Sequence, residues 1–239
     1  MLKIIKILIL FVWSYSNAQA YTVSQIPYTA KPMTGTLVNA VDDAVYGPYN
    51  ITFNFCFWGN QYTQFYIGSN GWLGFSAGQS PSFTSYTIPN TLANVPKNCI
   101  MGPWYDINPG IGGGNPVTPI QYIYYQSYGV SPNRYMVVSW VNAPLFQCIA
   151  LRATQQIVIY ENGTIENSIK EKRICAAWAN GTATQGLHNI TGTQAIIVGT
   201  RNSTQWTVTN LPQFWETWKY TPNYPIFVPC CTTATLNSN

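Results

Sequence analysis

The chain has 239 residues, of which 46% are hydrophobic, 15% aromatic and 8% charged, and its formal net charge is +4. Disordered chains are poor in aromatics, so 9 Trp, 17 Tyr and 10 Phe exclude disorder. Eleven basic and seven acidic side chains are too few to dress the surface of a helical bundle. The basic residues are also too scattered for the concentrated positive face that nucleic acid requires.

Lys3 and Lys6 stand at the start of an apolar run from Ile4 to Trp13, followed by Ala18-Gln19-Ala20. A basic start, a short apolar stretch and an A-x-A site read as a secretory signal peptide over residues 1–20. The run is too short to cross a bilayer, and no later stretch approaches the ~18–20 apolar residues a transmembrane segment needs. The expected location is therefore secreted or cell-surface. Without Lys3 and Lys6, nine basic and seven acidic side chains remain.

Residues 21–40 are weakly patterned and read as a lead-in to a single domain over 41–222, a length that suits one domain. Ile51 to Phe57 alternates strictly, Ile-Thr-Phe-Asn-Phe-Cys-Phe, as a half-buried strand does. Gln64 to Gly68 and Trp72 to Phe75 are strand-like and separated by Ser69-Asn70-Gly71. An Asn-Gly pair between such runs predicts a hairpin. The same signature joins Gln156–Tyr160 to Thr164–Ile169 through Asn162-Gly163. Further strands are expected at Gln121–Gln126, Tyr135–Val141, Gln194–Gly199 and Trp215–Tyr220. A turn-rich stretch, Asn108 to Pro116, carries Gly110, Gly112, Gly113 and Gly114. Residues 223–239 read as a Pro/Thr/Asn-rich tail or linker. About ten short strands with turn signals between them predict an all-β fold, an antiparallel β-sandwich or jelly-roll-like double sheet.

Six cysteines, Cys56, Cys99, Cys148, Cys175, Cys230 and Cys231, in an exported chain point to disulfides. Six cysteines allow 15 connectivities, and the spacing does not choose among them. There is no C-x-x-C pair to favour zinc instead.

The acidic inventory is Asp42, Asp43, Asp106, Glu161, Glu166, Glu171 and Glu216. No motif joins two of these carboxylates as a glycosidase requires. The single histidine, His188, has no nucleophile motif beside it and reads as a surface or half-buried strand residue. Catalysis is therefore not expected. Asp42, Asp43, Asp106 and Asn108 are candidate oxygen ligands for calcium, which takes carboxylates and carbonyls from loops. The competing reading is that these residues cap turns. Trp72, Trp104 and Trp140 sit in strand-like runs and are assigned to the core. Other aromatics remain as candidate platforms for sugar rings.

Asp42-Asp43, Phe55-Cys56-Phe57-Trp58-Gly59-Asn60-Gln61-Tyr62 and Ile67-Gly68-Ser69-Asn70-Gly71 together carry a family resemblance. It continues through Ile100–Ile107, Val137–Trp140, Gln155–Glu161 and Gly199–Asn202. In this order the motifs resemble nidogen-like extracellular domains of exported Bacteroidetes proteins. The resemblance implies a non-catalytic adhesion or surface module. It further implies the company of PKD- or immunoglobulin-like repeats and a gliding-motility-associated C-terminal segment, which would lie beyond this chain. It also implies a disulfide between Cys148 and Cys175, leaving Cys56 with Cys99 as the simplest remaining core pair.

The function expected is recognition of an extracellular protein or polysaccharide by loops at one end of a disulfide-braced sandwich. The contact surface expected is the Gly110, Gly112, Gly113 and Gly114 loop with the Asp42, Asp43 and Asp106 carboxylates. The alternatives are a carbohydrate-binding module with aromatic platforms, a purely structural spacer, and an exported hydrolase using Asp43, Asp106 or His188.

Overall fold

The computed structural model describes residues 20–110 and 122–223. The expected signal segment up to residue 19, Gly112, Gly113, Gly114, Gln121, and Cys230 and Cys231 in the tail lie outside them.

Among the described residues the chain is built from strands and two short 3-10 turns. The strands are β1 (Tyr21–Ile26), β2 (Thr36–Val38), β3 (Val45–Phe57), β4 (Asn60–Gly68), β5 (Trp72–Gly74), β6 (Cys99–Trp104) and β7 (Ile123–Tyr128). They continue with β8 (Tyr135–Leu145), β9 (Cys148–Tyr160), β10 (Ile165–Glu171), β11 (Thr182–His188), β12 (Ala195–Ile197), β13 (Thr204–Gln205) and β14 (Glu216–Pro222). One sheet runs β1-β14-β10-β9-β8-β7-β2. The other runs β12-β11-β6-β5-β4-β3, with β13 paired to β11. All pairings are antiparallel. This is the expected β-sandwich.

Alternation decides which side chains fill it. Phe53, Phe55 and Phe57 of β3 and Phe65 and Ile67 of β4 are buried from one sheet. Met136, Val138 and Trp140 of β8 and Ile157 and Ile159 of β9 meet them from the other. A buried polar layer bridges the sheets between these groups. Gln155 Nε2 donates to Pro103 O at 3.0 Å, Asn167 Nδ2 to Gly102 O at 3.0 Å, and Gln185 Nε2 to Asn167 Oδ1 at 2.5 Å. Most buried amide groups are partnered, and these bonds, Gln155 Oε1 being left without one, tie the two sheets together. Trp72, Trp104, Met101 and Cys99 form a second cluster with Ile88 and Val95, under the long β5–β6 connection. Trp72, Trp104 and Trp140 are all fully buried, in line with their assignment to the core.

Both Asn-Gly hairpins form. Gly71 has φ +88°, and a Cβ there would lie 2.2 Å from Pro103 O, so only glycine fits. Ile165 pairs with Ile159 across the Asn162-Gly163 turn.

Three expectations need correction. Residues 21–40, read as a lead-in, contain β1 and β2, and β1 pairs along its whole length with β14. Their sequences are short and half polar, so the pairing partner and not the local pattern makes them strands. Cys99 and Cys56 do not pair. Cys99 is a buried free thiol, while Cys56 is disulfide-bonded elsewhere. The cause is placement: Cys99 faces the outer cluster under the β5–β6 connection, and β3 lies at the far edge of that sheet. His188, expected at or near the surface, is fully buried. Cys148 and Cys175 are joined as the resemblance implied.

Candidate functional site

The C-terminal end of β6, the start of β3 and the β4–β5 turn lie at one end of the sandwich, beside the β8–β9 hairpin. The antiparallel order β6-β5-β4-β3 brings the first three together. An isolated bridge between Ile107 and Leu145 then ties the segment after β6 to the end of β8. Asp42 and Asp43 form a turn before β3, Asp43 with φ +45°. Asp106 follows β6. One carboxylate oxygen from each of Asp42, Asp43 and Asp106 lies within 4.8 Å of the others.

Burial differs sharply across the three. Asp106 is 8% exposed, Asp42 is half-buried and Asp43 is exposed. Each carboxylate is oriented by a neutral side-chain donor. Asn108 Nδ2 donates to Asp42 Oδ2 at 2.7 Å, Asn70 Nδ2 to Asp43 Oδ1 at 2.8 Å, and Trp178 Nε1 to Asp106 Oδ2 at 2.6 Å. Oδ1 of Asp42 and Oδ1 of Asp106 are buried without a hydrogen-bond partner. Among the described residues the ion pairs are Arg134–Glu161 and Arg201–Glu216, so none neutralises this cluster. Burial, then the Asp43 charge, pushes the Asp42 carboxyl up to about 6. Burial and the same neighbour push Asp106 up to about 7, against the Trp178 bond. Acids this close cannot all ionise without a countercharge.

Asn108, expected among the oxygen ligands, has its amide committed at both ends. Its Nδ2 goes to Asp42 and its Oδ1 accepts from Gly110 N at 3.0 Å. It orients one oxygen of the Asp42 carboxylate. Gly110 is the one described member of the expected glycine loop, and a Cβ there would come within 2.9 Å of Asp42 N.

Two residues that sequence reasoning missed complete the site. Asn70 is fully buried. Besides Asp43 it donates to Pro81 O at 3.0 Å, and its Oδ1 accepts from Ile107 N at 2.9 Å. The Asn-Gly pair signals the turn but carries no local sign of this second role. Trp178 lies three residues after Cys175, and its ring meets Phe146 at 4.8 Å and Phe83 at 5.9 Å. Phe83 is 41% exposed. An aromatic face therefore borders the acidic cluster, and the Cys148–Cys175 disulfide ties down the two segments that carry Phe146 and Trp178.

The other catalytic candidate is elsewhere. The His188 ring lies 2.7 Å from Pro96 O through Nδ1, and its Nε2 accepts from Asn90 N at 3.2 Å. Burial holds its pKa below the ordinary value, and both nitrogens are occupied. It is a structural residue.

Neither the comparison with curated proteins nor that with solved structures returns a match. A family model described as NIDO related matches residues 19–225, a span that includes every described strand. The chain belongs to the NIDO-related, or nidogen-related, family.

Proposed function

We propose that this protein is an exported, non-catalytic binding module that recognises an extracellular ligand with the loop end carrying Asp42, Asp43 and Asp106. Nidogen-related domains are typically extracellular and are not known as an enzyme family. No helix among the described residues is long and apolar enough to cross a membrane. The observation that carries the reading is the meeting of three uncompensated carboxylates with the Phe83–Trp178–Phe146 aromatic group, on loops held by a rigid double sheet.

One feature favours a carbohydrate over a protein as the ligand. Phe83 offers an exposed ring beside polar oxygen groups, and sugars are held by stacking together with polar contacts. The test is capture of the purified chain on immobilised polysaccharides and matrix proteins, with calcium and with EDTA. Retention on a glycan, lost on Phe83→Ala or Asp43→Ala with folding intact, is the expected result. Retention indifferent to both variants moves recognition off this end. Silence across the panel replaces the reading with a structural spacer.

A further inference from the structure

We propose that Asp42, Asp43 and Asp106 hold a calcium ion that ties the turn before β3 to the segment after β6. The inference deepens the recognition reading by naming a cation at the same end of the fold.

Two observations carry it together. The first is the span of the ligand oxygens. Calcium–oxygen distances of about 2.3–2.6 Å place opposite ligands no more than about 5 Å apart. The three carboxylate oxygens, all within 4.8 Å of one another, fit inside one such coordination sphere. The second is independent of their clustering. Asp106 is 8% exposed, and its Oδ1 has no hydrogen-bond partner. A buried carboxylate oxygen normally finds a donor, and one that lacks it costs free energy until something positive arrives. Oδ1 of the half-buried Asp42 also lacks a hydrogen-bond partner.

The surroundings match a cation. Asn108, Asn70 and Trp178 each donate to one oxygen of one carboxylate, and none brings a positive charge. The donor set is all oxygen, without His or Cys, which selects a hard cation. Magnesium demands near-octahedral geometry at about 2.0–2.1 Å and keeps its waters. Calcium accepts irregular sets of six to eight oxygens, which suits ligands drawn from two separate loops with water completing the shell.

The test is titration of the EDTA-treated, desalted chain with calcium by calorimetry, with Tm read in parallel and magnesium as competitor. The expected result is one calcium per chain, with a Kd of roughly 10⁻⁴–10⁻³ M as in other extracellular sites. Tm should rise in calcium, and Asp43→Asn and Asp106→Asn should each weaken binding by about tenfold or more, since affinity follows the count of charged ligands. Asp43 is exposed, so its variant stays informative if Asp106→Asn fails to fold. No binding heat and an unchanged Tm at about 10 mM calcium, ten times the weakest expected Kd, overturns the site. Undiminished affinity in the variants overturns it as well, and so does magnesium binding as tightly as calcium. These readouts need no extracellular ligand. A chain that binds calcium but captures nothing on the panel keeps the cation site and loses the recognition reading.

Discussion

Trp178 and Asp106, 72 residues apart in the chain, are joined by a 2.6 Å hydrogen bond from the indole Nε1 to Oδ2. The bond leaves the other Asp106 oxygen buried and unpartnered. It also places an intrinsic fluorophore against the acidic cluster. Trp178 in turn meets Phe146 edge to face and Phe83 at a tilt, so Asp106 is in contact with the aromatic group through one side chain.

Calcium should therefore alter tryptophan emission through Trp178. In Trp178→Phe the emission change should vanish, while calorimetry should still detect calcium within a few-fold of the original affinity. The indole contributes a hydrogen bond worth about 0.5–1.5 kcal/mol to the fold. A calcium-dependent emission change that survives the substitution would place the reporter, and the cation, elsewhere.

The disulfide should matter for the same face. Cys148 and Cys175 close a 27-residue separation, which in the chain-entropy model stabilises the fold by about 3–4 kcal/mol. The double variant Cys148→Ser/Cys175→Ser should lower the urea midpoint accordingly. Chemical reduction is a poorer test, because Cys56 is also disulfide-bonded. If the Phe146 and Trp178 segments depend on the bridge, the variant should also blunt the Trp178 emission response.

Lys172 sets a pH dependence. It is fully buried, with Nζ donating to Trp206 O at 3.0 Å and Gly181 O at 3.2 Å, and it lies 5.0 Å from the ring centres of Tyr105 and Trp206. Burial, then the Arg201 charge, lowers its pKa from 10.5 to about 7. Between those values the unfolded chain binds more protons than the folded one, so stability rises with pH across that window. The penalty is full below about pH 7. Urea unfolding at intervals from pH 7 to 9.5 should show wild type gaining on Lys172→Met as pH rises. A constant difference between the two would mean that Lys172 stays charged throughout.

Much of the fold was legible because alternation and Asn-Gly turns are local signals. β3, β4, β5 and the β9–β10 hairpin contain the runs those patterns mark, although β3, β4 and β9 begin earlier than the patterns do. β1 was not legible, since Tyr21–Ile26 becomes a strand only by pairing with Thr217–Pro222 nearly two hundred residues later. The site was half legible. Seven acidic residues are few enough that Asp42, Asp43 and Asp106 stood out. Nothing local marks Trp178 as the partner of Asp106, because the sheet order and the Cys148–Cys175 disulfide bring them together. Cys99 misled for a related reason. A strand has two faces, and β6 is buried on both, so burial did not reveal which face the thiol occupies.

Asn70 gives the sharpest separation of fold from cation. Its Oδ1 accepts from Ile107 N, and its Nδ2 donates to Asp43 Oδ1 and Pro81 O. Asn70→Ala leaves the buried Ile107 N–H without that acceptor, at a cost of about 1–3 kcal/mol. Asn70→Asp keeps an acceptor for Ile107 but puts a fourth carboxylate where a donor stood, 2.8 Å from Asp43 Oδ1. In EDTA the Asp variant should unfold at a lower temperature than the Ala variant, because like charges repel at that distance. In calcium the order should narrow or reverse, since the added carboxylate then faces a cation. Thermal melts of both variants with and without calcium measure it directly. Equal recovery of the two in calcium would deny that a cation sits among these oxygens.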